Sequence, residues 1–169
     1  MVALHNKYFQ RIYASISRNG LMSSMGYYLG NVDKGCCEVI LPYSDGITNQ
    51  VGGFHGGAIG AIGDIAAGYA GLTMAPDNME VTTVEYKINF MSAYQGGSLV
   101  AVGRVAKAGK KLIVTTAEIF HLTEHYDPMA QSAPVIHGNS SQGIGGTSLP
   151  KGKICAILQQ TLCPIPKNY

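Results

Sequence analysis

The chain has 169 residues, of which 46% are hydrophobic and only 13% charged, with 22 glycines and a formal charge of +2 at pH 7. That length suits one domain with a real core, and no shift in composition marks an internal boundary, so 1–169 reads as a single domain. The small net charge, with no basic stripe interleaved with aromatics, excludes a nucleic-acid surface, and the low charged fraction predicts surface buried in an oligomer.

The N-terminus, MVALHNKYFQRIY, lacks the unbroken apolar run of a signal peptide. Cys36, Cys37, Cys155 and Cys163 form no C-x-x-C pair, and neighbouring Cys36 and Cys37 point to opposite faces of any strand. These features predict reduced thiols and a cytoplasmic protein.

From His5 to Ser17, apolar residues recur on one helical face (Tyr8, Phe9, Ile12, Tyr13, Ile16), so an amphipathic helix is expected, ending near Asn19-Gly20. Met25 to Val32 and Cys36 to Leu41 read as strands joined by a turn at Asp33-Lys34-Gly35, and Pro42 to Val51 as a loop. Next comes a glycine-rich loop and a long run of small apolar residues, NQVGGFHGGAIGAIGDIAAGYAGLTMA, free of proline until Pro76. Helix is the natural reading from about Gly56, and its nearly continuous apolar character predicts burial. A membrane span is the rival reading, but Asp64 in its middle costs roughly 2.5–3.5 kcal/mol on insertion scales.

Val84, Tyr86, Ile88 and Phe90 then alternate with Glu85, Lys87 and Asn89, predicting a half-buried strand over Glu80 to Met91. Turns at Gly96-Gly97 and Ala108-Gly109-Lys110 lead into Ser98 to Ala106 and Leu112 to Leu122, and short turns predict a three-strand antiparallel meander. From Thr123 to Pro150 the pattern degrades into a Gly/Ser-rich insertion, and Lys153 to Leu162 resumes as the last strand. The expected fold class is α+β, an antiparallel sheet with one long buried helix.

Two motifs lead nowhere. His121-Leu122-Thr123-Glu124-His125 matches the inverted zinc-protease pattern, but that chemistry needs a helix, and here it ends a strand. Surface histidines are the expectation, and no metal or cofactor is implied. The glycine run lacks the Lys-Ser/Thr of a P-loop and the spacing of a dinucleotide site. What remains is a helix N-terminus near Gly56 with free N–H groups, able to stabilise an oxyanion, and Asp64 as base or nucleophile. Together they make a minimal acyl-transfer site.

Asn49, His55-Gly56-Gly57 and Asp64 on a small-residue helix, followed by VTTVEYKINFMSAYQGGSLVAVGRVAKAGKKLIVTTAEI, resemble the hotdog-fold thioesterases of the phenylacetate-pathway type. The resemblance covers roughly residues 20–123 and the last strand. It implies a curved sheet wrapped around the helix, subunits paired as a homodimer or a dimer of dimers, and acyl-CoA bound between them. It also assigns roles: Asp64 as the catalytic carboxylate, Gly56 as the backbone donor to the thioester oxygen, and Asn49 and His55 shaping the pocket. Thr83 matches a hydroxyl residue that helps place water. Gly57 lies beside the donor, and Lys107, Lys110 and Lys111 lie where basic residues meet the CoA phosphates. Two alternatives on the same fold are a hydroxyacyl-thioester dehydratase and a non-catalytic acyl-CoA-binding protein. The first lacks its usual proline-glycine-valine helix start here, and the second lacks a DNA-binding helix pair.

Overall fold

The computed structural model describes residues 6–125 and 152–167. Most of the expected insertion at 123–150 therefore lies outside the described residues. Helix α1 (Lys7–Ile16) is capped by Asn6, whose side chain accepts from the Tyr8 N–H, and it buries Ile12 and Ile16. A second helix, α2 (Gly20–Met25), fills a stretch to which the sequence assigned no element, and the strand expected from Met25 begins at Tyr28. Asn19 caps its start and left-handed Gly26 its end, and six residues are too few to show helical periodicity.

Strands β1 (Tyr28–Asp33) and β2 (Cys36–Pro42) form the expected hairpin, with Gly35 at φ +73° in the turn. Cys37 faces the helix-side core and Cys36 the cluster on the opposite sheet face, as adjacent strand residues must. All four cysteines are free thiols. Helix α3 (Gly56–Leu72) follows, then β3 (Met79–Phe90), β4 (Ser98–Ala108), β5 (Ile113–Leu122) and β6 (Lys153–Pro166).

The six strands form one antiparallel sheet in the order β1-β2-β4-β5-β6-β3. β2 through β6 all pack on α3, so the sheet closes around a single helix. The predicted meander is corrected at one point: β3 pairs with β6 and not with β4. Residues 91–97 instead cross the sheet end. There Tyr94 O accepts from Phe54 N–H at 3.0 Å and Gly97 O from Tyr43 N–H at 3.0 Å. Gly96-Gly97 thus ends a crossover, and the preference for short connections failed because β5 and β6 stand between β4 and β3 in the sheet.

The glycines of α3 explain how close helix and sheet come. Beneath it, a Cβ on Gly103 of β4 would sit 2.1 Å from the Ala66 carbonyl oxygen, and one on Gly71 would sit 2.3 Å from Leu162 Cδ1. Ile62, Ala66, Ala67 and Ala70 fill the sheet-facing side at 0% exposure. The opposite stripe, Ala61, Asp64, Ile65, Gly68 and Tyr69, is only half-buried.

β3 is a second correction. As an edge strand it leaves Val84 58%, Tyr86 43% and Phe90 54% exposed, where alternation predicted a half-buried strand. Within one chain these side chains are only partly covered.

Candidate active site

Asp64 sits at the middle of α3 on its half-buried stripe, facing β3 and β6. Thr83 Oγ1 donates to Asp64 Oδ1 at 2.8 Å, and Gln160 Nε2 donates to the same oxygen. The second hydrogen of that amide reaches Thr83 Oγ1 at 2.9 Å, and Gln160 Oε1 accepts from Thr115 Oγ1 at 3.1 Å. Two strands therefore hold one carboxylate oxygen, with β5 bracing Gln160 behind it, while no donor among the described residues reaches Oδ2. An anchored carboxylate with one open oxygen suits a general base or nucleophile. Burial pushes the Asp64 pKa above the ordinary carboxylate value, against the lowering effect of the Thr83 and Gln160 hydrogen bonds.

A β-bulge brings Thr83 to this position. The register shifts between Thr83, opposite Leu162, and Glu85, opposite Thr161, so Val84 is an extra residue. Below the bulge Val81 and Thr83 face the helix side. Above it the parity changes: Phe90 lies 3.5 Å from where a Gly56 Cβ would stand, and Tyr86 Oη lies 3.4 Å from that of Gly60. Strict alternation would have set Thr83 with Glu85 and Lys87 on the far face.

Sequence reasoning missed Gln160. It is fully buried on β6 in the same inward row as Ala156, Leu158 and Leu162, each at 0% exposure. A lone amide in an apolar row, read with period two, was the available signal. Replacing it with near-isosteric methionine removes the anchor from Asp64 while keeping the volume. Gln160→Met should lower kcat/KM about tenfold at neutral pH, and the acid limb of the pH–rate profile should move to higher pH as the carboxylate loses a donor.

The second group of predicted residues lies at the helix N-terminus. His55 caps α3 from an extended conformation, φ −69° and ψ 137°, its Nδ1 accepting from Gly57 N–H at 2.8 Å. The Gly56 N–H has no acceptor among the described residues and lies at the positive end of the helix. Asn49 organises the preceding loop: its Oδ1 accepts from Val51 N–H at 3.0 Å and Gly53 N–H at 3.1 Å. Behind the loop, Tyr94 stacks on His121 with ring centres 4.2 Å apart, and a ring nitrogen of His121 meets Gly96 O at 3.0 Å. His121 is 7% exposed, which corrects the expectation of a surface histidine; its ring braces the crossover.

One chain does not bring the two groups together. Asp64 is eight residues beyond Gly56, which is roughly 12 Å along the helix axis. Lys107, Lys110 and Lys111 are all exposed around the β4–β5 turn. Ile113, just after that turn, is level with Leu162 and Thr83, two strand spacings or roughly 10 Å from the latter. Among the described residues no group of three His, Cys, Asp or Glu side chains is placed to hold a metal, and no helix is long and apolar enough to cross a membrane.

Residues 52–126 match the Thioesterase superfamily. A protein of Saccharolobus solfataricus, named "Putative esterase SSO2140", is 38% identical over 88 residues, covering 52% of this chain and 62% of that protein. The match therefore spans less than two thirds of that relative's length. Among solved structures, a thioesterase family protein from Silicibacter pomeroyi superposes with a TM-score of 0.74 at 24% identity, covering 95% of this chain and 99% of the other. The E. coli PaaI protein from the phenylacetic acid degradation operon superposes at 0.72 and 17% identity, covering 95% of each chain. At such identities the likeness establishes the architecture, and the superfamily match runs through α3, β3, β4 and β5. The chain is a hotdog-fold protein whose central helix and the three strands after it match the Thioesterase superfamily.

Proposed function

We propose that this protein is an acyl-CoA thioesterase, hydrolysing the thioester to a free acid and CoA with Asp64 as its catalytic carboxylate. The observation that carries this reading is the Asp64 side chain itself, half-buried, tethered through one oxygen and open at the other, within a thioesterase-superfamily segment. Either Oδ2 takes a proton from the attacking water, or it attacks the carbonyl carbon and the resulting anhydride is hydrolysed. In both routes the carbonyl oxygen gains negative charge, which the Gly56 N–H and the helix dipole stabilise, and the thiolate of CoA leaves. Thr83 steadies the carboxylate beside the water. His55 and Asn49 hold the donor loop, with Gly57 locked to His55. Lys107, Lys110 and Lys111 offer positive charge to the CoA phosphates.

The roughly 12 Å between Gly56 and Asp64 supports a site built from two chains. Both must lie within about 3 Å of one thioester, so Gly56 of one chain serves Asp64 of another. The unpaired β3 edge and its exposed Val84, Tyr86 and Phe90 favour such pairing, because an open apolar edge invites a second strand. Light scattering at micromolar concentration should give a dimer mass or a multiple of it; a monomer mass would exclude the shared site.

Turnover of an acyl-CoA panel, read by thiol release, tests the activity. Thiol release with free acid as product is expected. Hydration or dehydration of the acyl chain would point to a dehydratase, and binding without turnover to an acyl-CoA-binding protein.

A further inference from the structure

His121 stands near the end of β5 at 7% exposure and takes no part in the chemistry at Asp64. Its ring holds the β3–β4 crossover by two handles. A carbonyl oxygen can only accept, so His121 Nε2–H donates to Gly96 O at 3.0 Å. The ring face lies flat on Tyr94, with 4.2 Å between centres and 4° between planes. Phe54 meets the same ring edge-on, at 6.3 Å and 71°. Phe54 belongs to the glycine-rich loop before α3, so one histidine touches both the crossover and the loop.

Tyr94 carries the contact onward. Its carbonyl oxygen accepts from Phe54 N–H at 3.0 Å, and a Cβ on Gly53 would lie 3.2 Å from that oxygen. Loop and crossover are therefore fitted backbone to backbone. At the far end of the crossover the packing leaves no slack, since a Cβ on Gly97 would overlap Leu122 O. Beyond Phe54 only the capping residue His55 precedes Gly56, and His55 N–H donates to Ile47 O at 2.8 Å. Gly52 and Gly53 give this loop little stiffness of its own. Where the Gly56 N–H points depends on what the loop leans on, and at its back that is Tyr94 stacked on His121.

We propose that His121 is a positioning residue for the oxyanion donor, acting through Tyr94 and Phe54 to aim the Gly56 N–H. This rests on the thioesterase reading. A donor of this kind works only when it lies within about 3 Å of the place where the carbonyl oxygen gains its charge. That charge exists in the transition state and not in the bound thioester. Loosening the loop therefore costs turnover and leaves substrate binding nearly untouched. Asp64 is held separately, by Thr83 and Gln160, so its titration is independent of the loop.

The test measures kcat and KM separately, by thiol release, on the best-cleaved member of acetyl-, hexanoyl- and benzoyl-CoA. His121→Ala and Tyr94→Ala should each lower kcat about tenfold, with KM within about twofold of wild type. The double variant should also lose only about tenfold, because both changes break one link. Tyr94→Phe keeps the ring and should recover most of the kcat lost in Tyr94→Ala. Tyr94 is only half-buried, so its pair of variants tests the link even where loss of the buried His121 ring unfolds the chain. The acid limb of the pH–rate profile, set by Asp64, should stay in place in all of them. Folded variants with wild-type kcat, losses confined to KM, a hundredfold loss in the double variant, or a displaced acid limb would each overturn the proposal while leaving the thioesterase reading intact. Wild type that cleaves no acyl-CoA would remove both.

Discussion

Asp64→Asn should reduce thioester hydrolysis about a thousandfold while making the protein more stable. Asparagine keeps a carbonyl oxygen to accept from Thr83 and Gln160, so the network around Oδ1 survives. What it lacks is a basic oxygen in the open position. The gain in stability follows from the pKa direction. Burial raises the folded-state pKa of Asp64 above its unfolded value. The folded state therefore binds that proton more tightly, and the contribution is fully present below the unfolded pKa and lost as pH rises through the folded one. Once ionised, the carboxylate opposes folding. Glu38 is also raised by burial and acts with the same sign, so the informative quantity is the difference between wild type and variant. The Asn variant should have the higher Tm at pH 7, with the gap closing on acidification through the window just above the ordinary carboxylate range. A site that spends stability on function behaves this way.

Gly103→Ala should be among the most damaging single-methyl changes in the molecule. Its new Cβ would lie 2.1 Å from the Ala66 carbonyl oxygen and 2.6 Å from the Ala67 nitrogen, which are backbone atoms with no rotamer to change. Helix and sheet would have to separate, exposing the contacts of Ile62, Ala66 and Ala70. A cost of about 3 kcal/mol or more is expected, at the upper end of overpacking effects. Urea unfolding followed by circular dichroism checks it, the midpoint falling well below wild type. Gly68→Ala, with open space around it, should instead move the midpoint upward by about 0.5–1 kcal/mol of helix propensity.

How much of this was legible in the sequence differs by feature. α3 was readable because seventeen residues without proline carry one carboxylate, and the helix begins at Gly56 as expected. The β1–β2 and β4–β5 hairpins were readable from their turn residues. The place of β3 was not, because pairing with β6 joins segments far apart in sequence and leaves no local mark. The bulge at Val84 was hidden for a related reason. The alternation of Val84, Tyr86, Ile88 and Phe90 is regular, and the break lies just before it, where Thr83 changes faces. Resemblance to a family pointed to Thr83, whereas periodicity alone pointed away from it. Gln160 escaped because a glutamine in a strand is read as surface unless its neighbours two residues away are checked. The row on β3 is a pattern that the sequence reported correctly as apolar, and α3 in the same chain covers it only in part.

The account turns on an active site divided between two chains, and hybrid complementation tests that most directly. Asp64→Asn removes the carboxylate. Gly56→Pro removes the donor N–H at the first helical position, where proline is tolerated and where His55 already has the extended conformation that must precede it. Each variant alone should be inactive. Co-refolded, hybrid dimers should regain one intact site, formed by Gly56 of the Asp64→Asn chain and Asp64 of the Gly56→Pro chain. With random pairing about half the dimers are hybrids, so about a quarter of wild-type activity should return. Hybrids shown by native mass spectrometry to have formed, yet without activity, would place the whole site in one chain and contradict the account.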